Sequence, residues 1–347
     1  MKRNLSNLGK LLSLVLMMGL IFAPALAIAG TVTIKLAHVN PADIHSSQKG
    51  AASTAFKNIV EAETSGAIKV ELYPAGQLGG EREIAEACKL GTIQMVSVSG
   101  VMASYFKPAM VADLPYLFSS APVAWKVFDG EFGDELAAGI LKATGLRKLA
   151  YGEIGFRNFT NSVRPIKSPA DMKGLKFRVM ETPLYVTLVK SLGGLPTPIA
   201  WPEVYTALQQ KVVDGQENPV AVIKWAKFSE VQKYLTLDGH TYGLDFLVIN
   251  DKFFQSLSPE HQKIITRAGI VFESVCRGVQ QLNSSIGVSD LKGEGFEIYS
   301  PTSAEKEQFR QAAQGPVIEW MKTQIDPIWI DKLLAAVKKA EAELEVK

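Results

Sequence analysis

For most of its length the chain alternates between two hydrophobic periods, that of a strand and that of a helix. Val32, Ile34 and Leu36 are apolar while Thr31, Thr33 and Lys35 are polar, the two-residue period of a strand. After Ser46 and Ser47, either able to cap, Ala52, Ala55, Phe56, Ile59 and Val60 recur at helical spacing, and Gly66 closes the segment. Ile68, Val70 and Leu72 alternate again, Pro74 and Gly76 turn the chain, 81–90 reads as a helix, and Gly91 precedes an apolar strand over 95–98. The predicted order is βαβαβ, which implies a largely parallel sheet covered on both faces, with ligands bound beyond the carboxyl ends of its strands.

The pattern then restarts. Strands are predicted over 148–151 and 175–179, followed by a helix opened by Thr182 and Pro183 and closed by Gly193-Gly194, and a short helix opened by Pro202. An apolar strand over 244–250 leads into Ser258-Pro259-Glu260, the start of a helix carrying Ile264, Ile265, Ala268, Val271, Phe272, Val275, Val279 and Leu282, long enough to run between lobes. Thr302 and Glu305 have capping-box spacing, and 327–345 reads as an amphipathic helix. There is no internal repeat and no low-complexity linker, so the lobes are expected to exchange chain more than once.

Composition adds the compartment. Lys2, Arg3 and Lys10 precede an apolar run of 13 residues, Leu11 to Ala23, and then Ala27-Ile28-Ala29, the pattern of a secretory signal peptide over 1–29. The run is short of the roughly 20 residues a membrane-spanning helix needs. Losing that segment removes three basic groups, leaving 34 Lys and Arg against 35 Asp and Glu, so the net charge moves from +2 to −1 and nothing suggests nucleic acid. A mature chain of this size exceeds what one core usually serves, which favours two lobes. Cys88 and Cys276 read either as two packed thiols or as a disulfide.

Catalytic signatures are missing. His38, His45, His240 and His261 are scattered, no metal-binding His or Cys spacing occurs, and neither a serine elbow nor a phosphate loop is present, so no enzyme, metal or cofactor is expected. What remains is a polar constellation. Arg178 alternates with Phe177 and Val179 at the end of a strand, where its planar fork of donors suits a carboxylate or sulfonate, or equally an ordinary ion pair. Arg157 is expected in the loop after the preceding strand, within reach of the same crevice, or as a solvated cation. Asn218 sits in what reads as a polar turn, 214–219, and Trp201 beside Pro202 can wall a pocket or staple a helix.

Tyr73-Pro74-Ala75-Gly76-Gln77-Leu78-Gly79, Ala170-Asp171-Met172-Lys173-Gly174-Leu175-Lys176-Phe177-Arg178-Val179, Pro196-Thr197-Pro198 with the segment 201–209, and Val213-Asp214-Gly215-Gln216-Glu217-Asn218-Pro219 resemble, in order, the solute-binding proteins of tripartite ATP-independent periplasmic (TRAP) transporters, the C4-dicarboxylate-binding-protein-like family. The resemblance implies an α/β periplasmic protein of two lobes with a ligand cleft between them and a long helix spanning both. Lobe I is expected over 30–154 with 245–283 returning to it, and lobe II over 155–244 with 284–347 partly crossing back. The resemblance further implies delivery of a small organic anion to a small and a large integral membrane subunit, driven by a sodium gradient, and a monomer is expected. The family's carboxylate-clamping arginine falls on Arg178, its second arginine on Arg157, its ligand asparagine on Asn218 and its aromatic wall on Trp201. The first lobe's polar contact falls on Ser97 to Ser99, where sialic-acid binders carry an acidic group, which counts against sialic acid. A carboxylate is the leading ligand, with a sulfonate such as isethionate or an indole carboxylate as variants, and a receptor for a sensor, or an enzyme on the same lobes, as other classes.

Overall fold

The computed structural model describes residues 31–345; the signal segment expected over 1–29 lies outside them. Nine strands among the described residues form one sheet: β1 (Val32–Ala37), β2 (Ile68–Tyr73), β3 (Met95–Val98), β4 (Leu146–Asn161), β5 (Lys176–Val179), β6 (Leu195–Pro198), β7 (Gly215–Pro219), β8 (Tyr234–Asn250) and β9 (Glu297–Tyr299). The order is β2-β1-β3-β8-β4-β7-β5-β6, with β9 on β8. Two parallel arms, β2-β1-β3 and β7-β5-β6, flank an antiparallel spine of β8 and β4. The largely parallel sheet expected from the βαβ pattern is therefore confined to the arms, one per lobe.

The spine explains what periodicity missed. β4 and β8 are 16 and 17 residues long and run through both lobes, where short strands over 148–151 and 244–250 are expected from sequence. Arg157 lies inside β4, not in a loop, and the polar stretch at 215–219 is the buried strand β7, not a turn. Their buried side chains are polar because they bond one another, Gln216 to Thr160 at 2.9 Å and Arg157 to Glu217, so the hydrophobic alternation that marks a strand is lost. The lobe boundaries expected at 154–155 and 244–245 fall inside β4 and β8. β4 is bulged at three places, one of them at Gly155, whose φ of +99° favours glycine.

Helices cover the arms: α1 (Gln48–Glu63), α2 (Glu81–Leu90), α3 (Ala121–Phe128), α4 (Glu131–Thr144), α5 (Pro183–Ser191), α6 (Val204–Gln209), α7 (Val220–Trp225), α8 (Asp251–Ser256), α9 (Pro259–Gly293), α10 (Ser303–Lys322) and α11 (Ile328–Glu343). The expected caps form: Ser47 accepts from Gly50 N at 3.0 Å, and Thr302 with Glu305 closes a capping box. The long helix α9 buries Ile264, Ile265, Ala268 and Phe272 against Phe56 and the first arm. Leu291, near its other end, joins Val204, Leu208 and Phe228 in the second lobe. Each end is thus anchored in a different lobe by apolar burial. The chain then returns, α10 packing on α5 and α11 on α3. Cys88 and Cys276 are both free and buried, so no disulfide joins them. No helix among the described residues is long and apolar enough to cross a membrane.

Candidate functional site

The parallel arms point their carboxyl ends toward each other, and a cleft opens there, enclosing about 520 Å³ measured out to its mouth. Lobe I contributes Val39 and Asn40 after β1, Lys49 of α1, Glu81 of α2, and Ser99 and Val101 after β3; lobe II contributes Arg178, Met180 and Glu181 at the end of β5, Trp201, Asn218, Val222 and Trp225. Ile154 and Arg157 of the spine form the floor. The lobes touch at the rim, with Arg82 Nη1 3.8 Å from Glu181 Oε1 and Ser99 Oγ 3.7 Å from Met180 Sδ.

Arg178 is buried, and its Nε donates to the carbonyl of Ile199 at 2.9 Å, while Trp201 lies under the guanidinium at 5.8 Å. Its Nη1 is buried with no partner, and no carboxylate among the described residues forms an ion pair with it. Burial, with the nearby Arg157 charge, pulls its pKa down to about 10, the mark of a cation without adequate compensation.

Arg157 has the opposite environment. Its Nη2 donates to Glu217 Oε1 at 2.8 Å and to the Glu217 carbonyl at 2.7 Å, and its Nε donates to Glu217 Oε2. Glu217 also meets His240 Nε2 at 3.1 Å, and His240 Nδ1 lies 2.9 Å from Asp238. Burial opposes charge on Glu217, but Arg157 and His240 outweigh it and hold the carboxyl down at about 2. Burial likewise disfavours charge on His240, yet its two carboxylates hold it up at about 9.

The wall in lobe I is a second ion-pair cluster. Lys49 is fully buried, its Nζ 2.8 Å from Asp245 and 3.3 Å from Glu81 and donating to the carbonyl of Ser97 at 3.1 Å. Burial works against its charge, but Asp245 and Glu81 raise its pKa. Ser99 Oγ donates to Glu81 Oε2 at 2.6 Å, and the Ser99 amide to the same carboxylate at 3.2 Å. Asn40 Nδ2 and Trp225 Nε1, like Arg178 Nη1, are buried donors without a partner.

Of the residues singled out from sequence, Arg178, Arg157, Asn218, Trp201 and Ser99 meet in this one cleft. Ser97 does not line it; its hydroxyl is committed to Asp245 at 2.5 Å, behind Lys49. Sequence reasoning passed over Asn40, Lys49, Glu81 and Trp225. Asn40 follows β1, and Glu81 opens α2 just after Gln77-Leu78-Gly79, so position beyond a strand end is the signal available for them. Lys49 and Trp225 sit within helices and carry no such mark. No acidic residue stands within 97–99, but the fold brings the carboxylate of Glu81 to Ser99.

The bacterial extracellular solute-binding protein, family 7, model matches residues 36–324. The chain is similar to the 2,3-diketo-L-gulonate-binding periplasmic protein YiaO of Escherichia coli (strain K12), 35% identical over 75% of this chain and 79% of that protein. It is 31% identical to the C4-dicarboxylate-binding periplasmic protein DctP of Rhodobacter capsulatus, over 91% of this chain and 93% of that one. Its fold resembles that of the sugar acid binding protein DctPAm from Advenella mimigardefordensis strain DPN7T, solved in complex with galactonate, with a TM-score of 0.85 and 33% identity over 89% of this chain and 98% of the other.

Proposed function

This chain belongs to the bacterial extracellular solute-binding proteins of family 7, and we propose that it captures a hydroxylated monocarboxylic acid, a sugar acid, by clamping its carboxylate on Arg178. Proteins of this family are periplasmic receptors for small organic acids, not enzymes, and work with membrane subunits. The observation that carries the reading is the unpartnered, buried Nη1 of Arg178. A carboxylate there supplies the missing charge and accepts a charge-assisted bond, a contribution of about 1.5–3 kcal/mol. The ring of Trp201 lies against the guanidinium, 5.8 Å from centroid to Cζ.

Charge arithmetic then favours one carboxylate over two. Three cations line the cleft, but Lys49 is matched by Asp245 and Glu81 and Arg157 by Glu217, leaving Arg178 alone uncompensated. A second ligand carboxylate would meet Glu81 with no free cation to oppose it, whereas ligand hydroxyls can donate to Glu81 and accept from Asn40 Nδ2. The same arithmetic disfavours an arrangement in which Arg157 and Arg178 jointly neutralise a sulfonate. In this reading 1–29 is the export signal, the mature protein is a periplasmic monomer, and the loaded form delivers its acid to small and large membrane subunits drawing on a sodium gradient.

A thermal-shift screen of residues 30–347 against aldonates, uronates, keto acids, C4-dicarboxylates, indole acids and small sulfonates tests it, with Arg178→Ala alongside. A ligand at about 100 times its Kd stabilises by about 2.7 kcal/mol, a midpoint shift of several degrees. The aldonates or uronates are expected to shift the wild type and not the variant. An equal shift in Arg178→Ala refutes the clamp.

A further inference from the structure

The cleft holds a donor that a carboxylate on Arg178 does not employ. Trp225 closes α7 and lines the cleft, and its Nε1 is buried without a partner. An indole nitrogen only donates, so a ligand oxygen is the partner it lacks. The ring is fixed from two sides. Trp201 meets it edge to face, centroids 5.3 Å apart at 67°. α7 itself is pinned to α9, where Gly287 lets Val220 approach so closely that a Cβ would sit 2.7 Å from it, and where Lys224 pairs with Asp290.

We propose that Trp225 is a specificity-determining residue whose N–H donates to a hydroxyl oxygen of the bound acid, a position distinct from the carboxylate on Arg178. The inference rests on the sugar-acid reading and extends it. Arg178, Trp201 and Trp225 are in successive contact, so the site offers a cation and then a neutral donor along one wall. A neutral donor matches a hydroxyl; a second carboxylate would call for a cation, and the other lining cations are already paired. Trp225 therefore reads the hydroxylated part of the acid, and unsubstituted acids of the same length gain nothing from it.

The variant Trp225→Phe keeps a six-membered aromatic ring and removes the N–H together with the five-membered ring that carries it, so the monodeoxy acids are what separate a lost hydrogen bond from lost shape. It is to be titrated beside wild type and Arg178→Ala with D-galactonate, D-erythronate and the monodeoxy forms of whichever binds more tightly, while the indole N–H resonance of Trp225, identified by its loss in the variant, is followed in ¹⁵N-tryptophan-labelled protein. The expected result is about a tenfold loss of affinity for the full aldonate in Trp225→Phe, one monodeoxy form that wild type and variant bind alike, and a ligand-dependent shift of the Trp225 N–H. Unchanged affinity in Trp225→Phe while Arg178→Ala abolishes binding overturns this inference alone. An equal loss for every monodeoxy form overturns it as well, since the ring would then be acting on shape. If wild type binds no aldonate or uronate, or Arg178→Ala binds as wild type does, the sugar-acid reading falls and takes the inference with it.

Discussion

Glu217 holds Arg157 in a buried two-pronged ion pair, Oε1 accepting from Nη2 at 2.8 Å while Oε2 accepts from Nε. The two strands carrying them are register neighbours, Arg157 opposite Pro219 and Phe159 opposite Glu217, so the pair ties β4 to β7 at the cleft floor. Arg178, a strand away, has no such partner. Two arginines that look alike in sequence thus differ in whether their charge is already satisfied.

That difference predicts opposite stability effects. Glu217→Gln strands a buried guanidinium and is expected to cost about 3–5 kcal/mol in urea unfolding of the ligand-free protein. Arg178→Met removes a cation that burial already penalises, so the free protein is expected to unfold at the same or higher urea while binding is lost. A large destabilisation by Arg178→Met would mean that its structural bonds outweigh its role as a clamp.

The pH dependence of stability follows from His240. Its pKa is raised to about 9, so the protonated form contributes fully below the ordinary value near 6.5 and the contribution is lost as pH rises through about 9. Buried Asp113, pushed up to about 7 by desolvation, adds to the decline between about pH 4 and 7 because its charged form is disfavoured in the fold. His240→Gln should flatten the alkaline limb, a difference on the order of 2–3 kcal/mol between pH 7 and 10 by chemical denaturation. An unchanged limb would place the alkaline transition elsewhere.

Closure is expected to depend on Gly100. A Cβ there would lie 2.6 Å from Asp113 Oδ2 and 2.9 Å from Met180 Cε, the latter in the other lobe. Gly100→Ala should weaken ligand binding several-fold, and Met180→Ala in the same chain should restore part of it if the clash across the cleft is the cause. Calorimetric titration of the two variants separates that from a clash with Asp113, which Met180→Ala leaves in place.

The arms of the fold were legible because their core strands and helices bury one face, which leaves a period in the sequence: Val32, Ile34 and Leu36 for β1, or Ile264, Ile265, Ala268 and Phe272 for α9. The spine was legible only in part. Arg157, Thr160, Gln216 and Glu217 are buried yet polar, satisfied by partners far along the chain, and no local pattern distinguishes them from a loop or turn. The site divided the same way. Arg178 and Asn218 stand in motifs, whereas Lys49 and Glu81 meet Asp245 and Ser99 only through the fold.

Glu81 is expected to enforce selectivity for a single ligand charge. Glu81→Gln should narrow the gap in affinity between a sugar monoacid and its diacid, read as the ratio of the two dissociation constants. A ratio equal to that of wild type would assign the discrimination to another group.

The most direct measurement is calorimetric titration of the wild type with three compounds on one carbon skeleton: the aldonate selected by the thermal screen, the alditol without a carboxylate, and the aldarate with two. The aldonate is expected to bind, the alditol at least about tenfold more weakly for want of a partner to Arg178, and the aldarate also more weakly because its second charge faces Glu81. An aldarate that binds as tightly as the aldonate, or an alditol within a few-fold of it, would contradict a site built around one carboxylate on Arg178.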